Sequence, residues 1–485
     1  MISPEIREKY QMVVGLEVHA QLLTASKAYS SDSTEFGELP NTNVSAITLA
    51  HPGALPRANE KVVEMAIKMG LATHCQITRH NLYARKNYFY PDLPKGYQIT
   101  QDKTPICTAG KVDIKLADGS HKTIGVTRIH MEEDAGKSMH LAGETESLVD
   151  YNRAGVPLIE IVSEPDIRTS EEAYAYLTEI KKLLQYLEIC DGNMEEGSLR
   201  CDANISVMLK GAAKYGTRVE VKNMNSFRNV QRAIEHEVER QILLIESGGT
   251  VLPETRNFDA ATGQTVAMRS KETLNDYRYF PEPDLVPLII SEEFLSDVQL
   301  AMPALPNQLY DKFTRGYKLS DYDAQVLTDS KEFALYYEEV CHHTDNFKAA
   351  ANWVTGPVKS YLNELTLHLH QFPLAPATIA KIIALVDANK VSFTAASKNL
   401  FPALIANPDR DPEQLAVELN LIQESDEEAL GALVDEVLAR YPEKVAEYKN
   451  GKTGLLGLFM GDVMKATKGK ADPKLTNQLL LKRLS

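Results

Sequence analysis

Hydrophobic and polar residues alternate in short runs over roughly the first 290 positions of the chain. The period of two is typical of strands, and clusters of turn residues such as DLPKG and KGAAKYG separate the runs. The runs are VVGLEVHAQL, KVDIKLAD, KTIGVTRIH, VPLIEIVS, SLRCDANISVML and TRVEVKN. Because these strands follow one another in pairs and do not alternate singly with helices, the pattern predicts an α+β domain with a largely antiparallel sheet.

Two amphipathic helices interrupt the predicted strands. The first opens with the capping box Thr169-Ser170-Glu171-Glu172 and repeats apolar residues at helical spacing through Leu187. The second begins near Ser226, carries apolar residues at intervals of four, and stops at the pair Gly248-Gly249.

The pattern becomes helical throughout after Pro287, with breaks at QFPLAP and ANPDRDP. We therefore predict a sheet domain at 1–292, a helical domain at 293–407 and an all-helical C-terminal tail domain at 408–485. No apolar run approaches the roughly 18 residues that a membrane span needs, so we expect no contact with a membrane.

Charge and cysteine content narrow the class of protein. The five cysteines are scattered and form no CxxC pair, so we expect no disulfide framework and a reducing, cytoplasmic compartment. The net charge of −15 argues against chain-wide attraction to nucleic acid. However, residues 411–440 carry a net charge of −8 and residues 463–485 one of +5. The C-terminal segment is therefore the candidate nucleic-acid contact, and a solvated charged face is the alternative.

Three of the predicted strands each present a face of chemically functional side chains. These faces are Glu17, His19 and Gln21 in the first strand, Arg200, Asp202 and Asn204 in another, and Arg218, Glu220 and Lys222 in a third. One such face alone is most often solvated. Three faces rich in imidazole, carboxylate, amide and guanidinium groups favour a shared site.

Further carboxylates cluster beside other strands. Glu132, Glu133 and Asp134 directly follow a predicted strand, and Glu196 precedes another. Glu160 lies inside the apolar run VPLIEIVS, where burying a carboxylate is costly unless a cation pairs with it.

Carboxylates combined with histidine suit Mg²⁺ or Mn²⁺, and Lys and Arg on the same sheet can neutralise phosphate oxygens. The residues therefore predict a metal-assisted nucleotide site on one face of the sheet. A nuclease or a phosphatase fits these residues equally well.

Six blocks stand in order along the chain. They are VGLEVHAQL (14–22), YPDLPKGYQI (90–99), VDYNRAGVPLIEIV (149–162), EEGSLRCDANIS (195–206), VEVKNMNS (219–226) and DYRYFPEPDL (276–285). Together they resemble the GatB family, the B subunits of tRNA-dependent amidotransferases. The resemblance covers essentially the whole chain, and the pattern Asp-Tyr-Asn-Arg-x-Gly-x-Pro-Leu-Ile-Glu is long and specific.

This resemblance implies an ATP-dependent carbon–nitrogen ligase. Such enzymes convert misacylated Glu-tRNA(Gln) or Asp-tRNA(Asn) to the amide, through an acyl phosphate that ammonia attacks. The A subunit, an amidase, would supply the ammonia from glutamine, and the small C subunit would complete a heterotrimer. The implied fold is a cradle domain similar to glutamine synthetase, followed by a helical domain and a tail domain that contacts tRNA.

The resemblance also implies roles for single residues. By matched motif, the core of a Mg²⁺–ATP site falls on Glu17, His19, Glu132 and Glu133. Candidates for a second or water-held metal are Glu160, Glu196, Asp202 and Glu220. Candidates for stabilising the transferred phosphate are Arg200, Lys222 and Arg269.

The resemblance also leads to predictions about an early loop and about the basic tail. Many family members carry a four-cysteine zinc site in an early loop, but residues 28–56 contain no cysteine, so we expect no zinc. The tail's basic residues would make salt-dependent contacts to tRNA phosphates. These residues are Lys465, Lys468, Lys470, Lys474, Lys482 and Arg483.

Two hypotheses compete with an amidotransferase component that carries the ATP site. The first is a tRNA-binding scaffold whose partners do all the chemistry. The second is a stand-alone, metal-dependent phosphohydrolase.

Overall fold

The computed structural model describes residues 2–141, 143, 145–268, 278–423, 427–467 and 471–484. The chain divides into two compact units, residues 1–306 and residues 307–485. The predicted boundary near residue 407 lies within the second unit and stays a prediction. Among the described residues, no helix is both long and apolar enough to cross a membrane.

A large sheet dominates the first unit. The strands of this unit are β1 (Tyr10–Gln21), β2 (Gln76–Ile77), β3 (His80–Asn81), β4 (Ala84–Asn87), β5 (Tyr97–Thr100), β6 (Cys107–Lys115), β7 (His121–Glu133), β8 (Lys137–His140), β9 (Ser147–Asp150), β10 (Pro157–Ser163), β11 (Leu199–Leu209), β12 (Val219–Lys222), β13 (Thr255–Asp259), β14 (Gln264–Ala267), β15 (Phe280–Pro281) and β16 (Leu288–Ile289). Within the described ranges, nine of them form one sheet in the order β14-β13-β12-β11-β1-β10-β7-β6-β2. Its neighbouring strands are antiparallel except for the parallel pair β12 and β13. This confirms the predicted α+β class with a largely antiparallel sheet.

Helices cover the apolar face of this sheet. The helices of the first unit are α1 (Pro4–Lys9), α2 (Glu60–Ala72), α3 (Ser170–Tyr186), α4 (Phe227–Glu246) and α5 (Glu292–Leu300). The two predicted helix starts are confirmed, because the side chain of Thr169 caps α3 and that of Ser226 caps α4. Val14, Leu16, Val18 and Ala20 of β1 are buried in the core beneath the helices, so the alternate residues of β1 face the other way.

The described residues of the second unit form helices and connecting segments. The α-helices are α6 (Pro306–Asp311), α7 (Asp321–Thr328), α8 (Lys331–Cys341), α9 (Phe347–Trp353), α10 (Lys359–Leu365), α11 (Pro376–Asp387), α12 (Phe393–Ala395), α13 (Phe401–Ala406), α14 (Pro412–Glu418), α15 (Glu427–Ala439), α16 (Pro442–Lys449), α17 (Leu456–Ala466) and α18 (Pro473–Leu484). Short π-helices lie at Lys312–Gly316, Val354–Val358 and Ala396–Leu400, and 3-10 helices at Leu369–Gln371 and Thr453–Leu455. Helices α15, α17 and α18 share an apolar core that includes Val434, Phe459 and Leu480.

The cysteine-free loop 28–56 is organised around the Asp32 carboxylate. The Ser45 amide and hydroxyl donate to Asp32 Oδ2 over 3.0 and 2.8 Å, and the hydroxyls of Ser30 and Thr48 donate to the same oxygen. The buried Lys27 Nζ donates to the Asn43 carbonyl over 2.7 Å and so ties the far part of the loop to the residue that precedes the loop. Hydrogen bonds therefore hold the loop at several points.

Replacing Asp32 with Asn should lower the free energy of unfolding by about 2 kcal/mol at neutral pH, because a charged acceptor is lost. Burial alone would raise the pKa of Asp32, but the hydrogen bonds from Thr48, Ser45 and Ser30 lower it from 3.8. The ionised carboxylate therefore stabilises the fold above pH 3.8, and this contribution is lost as the pH falls through the lowered value. Urea unfolding of both proteins at several pH values measures the difference, which should shrink in acid. Glu35→Gln, an exposed carboxylate of the same loop, is the control and should have little effect.

Candidate active site

The polar face of β1 lies at the centre of the sheet, between β10 and β11. His19 stands opposite Glu160 of β10 and opposite Arg200 of β11. Glu17 stands opposite Asp202 of β11. Antiparallel pairing thus brings together, at the centre of the sheet, side chains that the sequence places far apart.

Three side chains form what we name the first ligand group: His19, Glu132 and Glu160. One possible ligand atom from each lies within 4.8 Å of the others, and His19 Nε2 is 3.5 Å from Glu160 Oε2. Both carboxylates are buried, with 4% and 8% of their surface exposed. Because ionised carboxylates are costly to bury, this group requires cations beside it.

His130 supplies one of these cations and was missed by the sequence analysis. Its Nε2 lies 3.0 Å from Glu132 Oε1 and 3.1 Å from Glu160 Oε2. Burial lowers the pKa of His130, but hydrogen bonds to the two carboxylates outweigh burial and raise the pKa to about 9. Its Nδ1 is buried and has no hydrogen-bond partner in the part of the chain that the structure describes. The signal was present in the run RIHME, where His130 and Glu132 share a strand face.

The first ligand group is held in its ionised form. Burial would raise the pKa of Glu160, but hydrogen bonds from His130 and His19 hold it well below its usual range. Burial would also raise the pKa of Glu132, but the hydrogen bond and positive charge of His130 lower it. Burial lowers the pKa of His19, but the hydrogen bond and negative charge of Glu160 outweigh burial and raise this pKa above 6.5.

Side chains from outside the large sheet also reach Glu132. Thr100 donates to Glu132 Oε1 over 2.9 Å, and Gln98 donates to Glu132 Oε2 over 3.2 Å. Lys86 of β4 lies close enough that Glu132 and Glu160 raise its pKa, although burial lowers it. No pattern in the sequence indicated these residues, because they come from a separate small sheet, β15-β4-β5.

The second ligand group consists of Glu17, Asp202 and Glu220, whose possible ligand atoms again lie within 4.8 Å of one another. Asn204 donates to Glu17 Oε1 over 2.8 Å. Burial and the neighbouring Glu160 raise the pKa of Glu17. The Lys222 ammonium lies 2.5 Å from Asp202 and 2.9 Å from Glu220. Burial lowers the pKa of Lys222, but these two carboxylates raise it.

Two predicted site residues lie away from both ligand groups. Glu133 points to the opposite face of β7, where Lys95 pairs with it and the Ile99 amide donates to it over 2.8 Å. Glu196 is exposed in the loop before β11. The structure thus separates Glu133 from its neighbour Glu132, although the sequence analysis grouped them.

Of the predicted phosphate-binding cations other than Lys222, Arg200 is described by the structure. Arg200 pairs with Asp134 over 2.9 Å, and Gln21 donates to the same carboxylate oxygen over 2.7 Å. Arg269 lies outside the described residues.

The predicted tRNA-binding residues of the tail are described in part. Lys465, Lys474 and Lys482 are exposed, and Arg483 pairs with Asp435 over 2.7 Å. Lys468 and Lys470 lie outside the described residues.

The donor atoms of both ligand groups fit a hard divalent cation. Each group offers carboxylate oxygens, and the first adds an imidazole nitrogen. Mg²⁺ and Mn²⁺ accept such donors. The chemistry of the site is therefore compatible with phosphate groups held beside a divalent cation.

Comparisons with known proteins identify the family. The family model described as GatB/GatE catalytic domain matches residues 12–296, and that described as GatB domain matches residues 335–484. A relative from Geobacter sulfurreducens, named as the B subunit of aspartyl/glutamyl-tRNA(Asn/Gln) amidotransferase, is 50% identical over 478 residues, 98% of this chain and 99% of the relative. Relatives of the same name from Alkalilimnicola ehrlichii and Chlorobium chlorochromatii are 50% and 49% identical, again over 98% of this chain and 99% of each relative. The chain therefore belongs to the family of aspartyl/glutamyl-tRNA amidotransferase B subunits, as its six sequence blocks indicated.

Proposed function

We propose that the chain is the component of a tRNA-dependent amidotransferase that activates the side-chain carboxylate of Glu-tRNA(Gln) or Asp-tRNA(Asn) with ATP. The observation that carries this proposal is the pair of adjacent ligand groups on one face of the sheet. Carboxyl activation gathers the negative charge of ATP beside a carboxylate, and only cations can offset that charge.

The proposed reaction has two steps. A carboxylate oxygen of the aminoacyl group attacks the γ-phosphorus of ATP, the bond to the β-phosphate oxygen breaks, and ADP leaves. Ammonia then attacks the acyl carbon, the bond to the phosphate oxygen breaks, and the nitrogen loses a proton to give the amide. Phosphate is a much better leaving group than the hydroxide that direct amidation would release.

The chain's own residues would prepare this reaction. A Mg²⁺ ion held by His19, Glu132 and Glu160 would offset phosphate charge when bound. His130 keeps two of these carboxylates ionised and aimed, because its ring contacts both. Arg200 and Lys222 lie on the same face and would contact phosphate oxygens through their cationic groups. Arg269 keeps its predicted role as a further candidate.

The family membership supports a proposal about partners. The A subunit, an amidase, would release ammonia from glutamine, and the small C subunit would complete the heterotrimer in the cytoplasm. The basic residues of the tail, Lys465, Lys474 and Lys482 among those described, would contact tRNA phosphates. Binding would then weaken as the salt concentration rises.

Trapping of the activated carboxyl group tests the proposed function. The heterotrimeric complex, given Glu-tRNA(Gln), ATP, Mg²⁺ and hydroxylamine but no glutamine, should form the hydroxamate of the glutamate side chain, which chromatography separates from the α-hydroxamate that hydroxylamine forms directly from the tRNA ester. Omission of ATP or Mg²⁺ should abolish it. Formation of the side-chain hydroxamate without ATP would contradict the proposal, and hydrolysis of simple phosphoesters by the isolated chain would favour the phosphohydrolase hypothesis.

A further inference from the structure

The second ligand group already contains a cation that belongs to the protein. Lys222 and Glu220 project from the same face of β12, two residues apart, and Asp202 projects beside them from β11. The Lys222 Nζ contacts Asp202 Oδ2 over 2.5 Å and Glu220 Oε1 over 2.9 Å. The ammonium therefore uses oxygens of two of the group's three carboxylates.

A divalent ion and this ammonium cannot share the same carboxylate oxygens. Both are cations, so they repel each other at coordination distance, and each oxygen would have to serve both. Three ionised carboxylates carry three negative charges, and Lys222 offsets only one of these. A divalent ion would therefore bind more strongly than the ammonium, provided that Lys222 can leave.

The surroundings of Lys222 allow it to leave. Its side chain is 35% exposed, and a lysine turns freely about four carbon–carbon bonds. The cation of the first ligand group differs in this respect, because the His130 side chain is 6% exposed and its ring is held between two carboxylates. Lys222 thus differs from His130 in being both flexible and partly exposed.

We propose that Lys222 competes with a divalent cation for the second ligand group, so that the ion binds there only after the ammonium has left Asp202 and Glu220. This inference rests on the proposed function and adds a regulation of the same site. The displaced ammonium keeps its charge and needs a new anionic partner on that face, which the phosphates of ATP supply. Occupation of the second group by metal is therefore coupled to the nucleotide through the release of Lys222.

Titration of the full-length chain with Mn²⁺ tests the competition, with the free ion measured by electron paramagnetic resonance. The wild-type chain should bind one ion tightly and a second weakly. Lys222→Met should tighten the second ion by about tenfold, because an ion pair no longer has to be broken, and should leave the first unchanged. A non-hydrolysable ATP analogue should increase the affinity for the second Mn²⁺ ion more in the wild-type chain than in Lys222→Met.

Arg200→Met is the matched control. It also removes one positive charge from this face, and the Arg200 side chain is 36% exposed, but its guanidinium pairs with Asp134 outside the group. The Arg200→Met chain should therefore bind its second Mn²⁺ ion as weakly as the wild type does. Adding Glu17→Gln to Lys222→Met should remove the second ion, and adding His19→Asn should remove the first, which assigns each ion to its group.

The outcomes separate this inference from the proposed function. If Lys222→Met binds the first ion but its second ion is no tighter than in wild type, the competition is wrong and the proposed function stands. An equal rise in the affinity of Arg200→Met for the second ion would also overturn the inference, since the loss of any positive charge from this face would then explain the effect. If neither wild type nor Lys222→Met binds any Mn²⁺, both the inference and the metal part of the proposed function are wrong. Should Lys222→Met fail to fold, Lys222→Gln, which keeps a donor for Asp202 without the charge, carries the same expectation.

Discussion

Replacing Glu160 with Gln should lower the rate of ATP-dependent amidation by on the order of a thousandfold, since it removes a preorganised charge from the centre of the site. Glu160 is buried and touches both His130, at 3.1 Å, and His19, at 3.5 Å. Glutamine has nearly the same shape but carries no charge, and its amide nitrogen cannot ligate a metal. Amide formation on Glu-tRNA(Gln) by the heterotrimeric complex measures the loss, and Mn²⁺ binding to the full-length chain should weaken in parallel.

Glu164→Gln is the control for this change. Glu164 follows the same strand, but its carboxylate accepts a hydrogen bond from Thr127 on the exposed side, away from both ligand groups. It should retain nearly full activity. Glu17→Gln and Glu132→Gln should be impaired like Glu160→Gln. If all three variants keep the wild-type rate, the sheet face does not carry the chemistry, and a tRNA-binding scaffold becomes the better hypothesis.

Replacing His130 with Ala should lower the free energy of unfolding by about 3 kcal/mol in the presence of a chelator, because two buried carboxylates lose their shared cation. The ring of His130 lies within 3.1 Å of Glu160 and 3.0 Å of Glu132. Without His130 the two buried carboxylates repel each other more strongly and cannot reach water. Urea unfolding measures the loss, and added Mn²⁺ should restore more stability to His130→Ala than to wild type, since the ion can replace the missing charge.

His121→Ala provides the matched control, because His121 is an exposed residue at the start of the same strand. Its unfolding curve should match that of the wild type. Equal unfolding midpoints for His130→Ala and wild type would mean that the carboxylates are not held as an ionised pair. A loss of stability that Mn²⁺ does not reduce would assign His130 to packing alone.

The position of Glu133 shows what the alternation of side chains along a strand can predict about the site. Glu132, Glu133 and Asp134 were predicted to follow a strand as one cluster, but β7 continues through Glu133. Neighbouring residues of a strand face opposite sides, so Glu132 and Glu133 had to separate. The same rule, applied one residue further, would also have found His130, which shares its face with Glu132.

Other parts of the site could not be predicted from any local pattern. Gln98 and Thr100 of β5 donate to Glu132, and Lys86 of β4 lies close enough for Glu132 to raise its pKa, because that small sheet lies against β7. Their own strands carry no signal for a shared site. The pairing of Lys222 with Asp202 likewise depends on the register between β11 and β12.

The sequence by itself determined the α+β class, the starts of α3 and α4, and the residues of β1, β11 and β12 that share a face. These properties depend on the period of side chains along one strand or helix and on its capping residues, so they are local. The tertiary structure alone decided that β1 lies between β10 and β11, that the carboxylates divide into two ligand groups, and that His130 and Lys222 are their cations. These properties depend on strand order and register, which contacts between distant segments of the chain select.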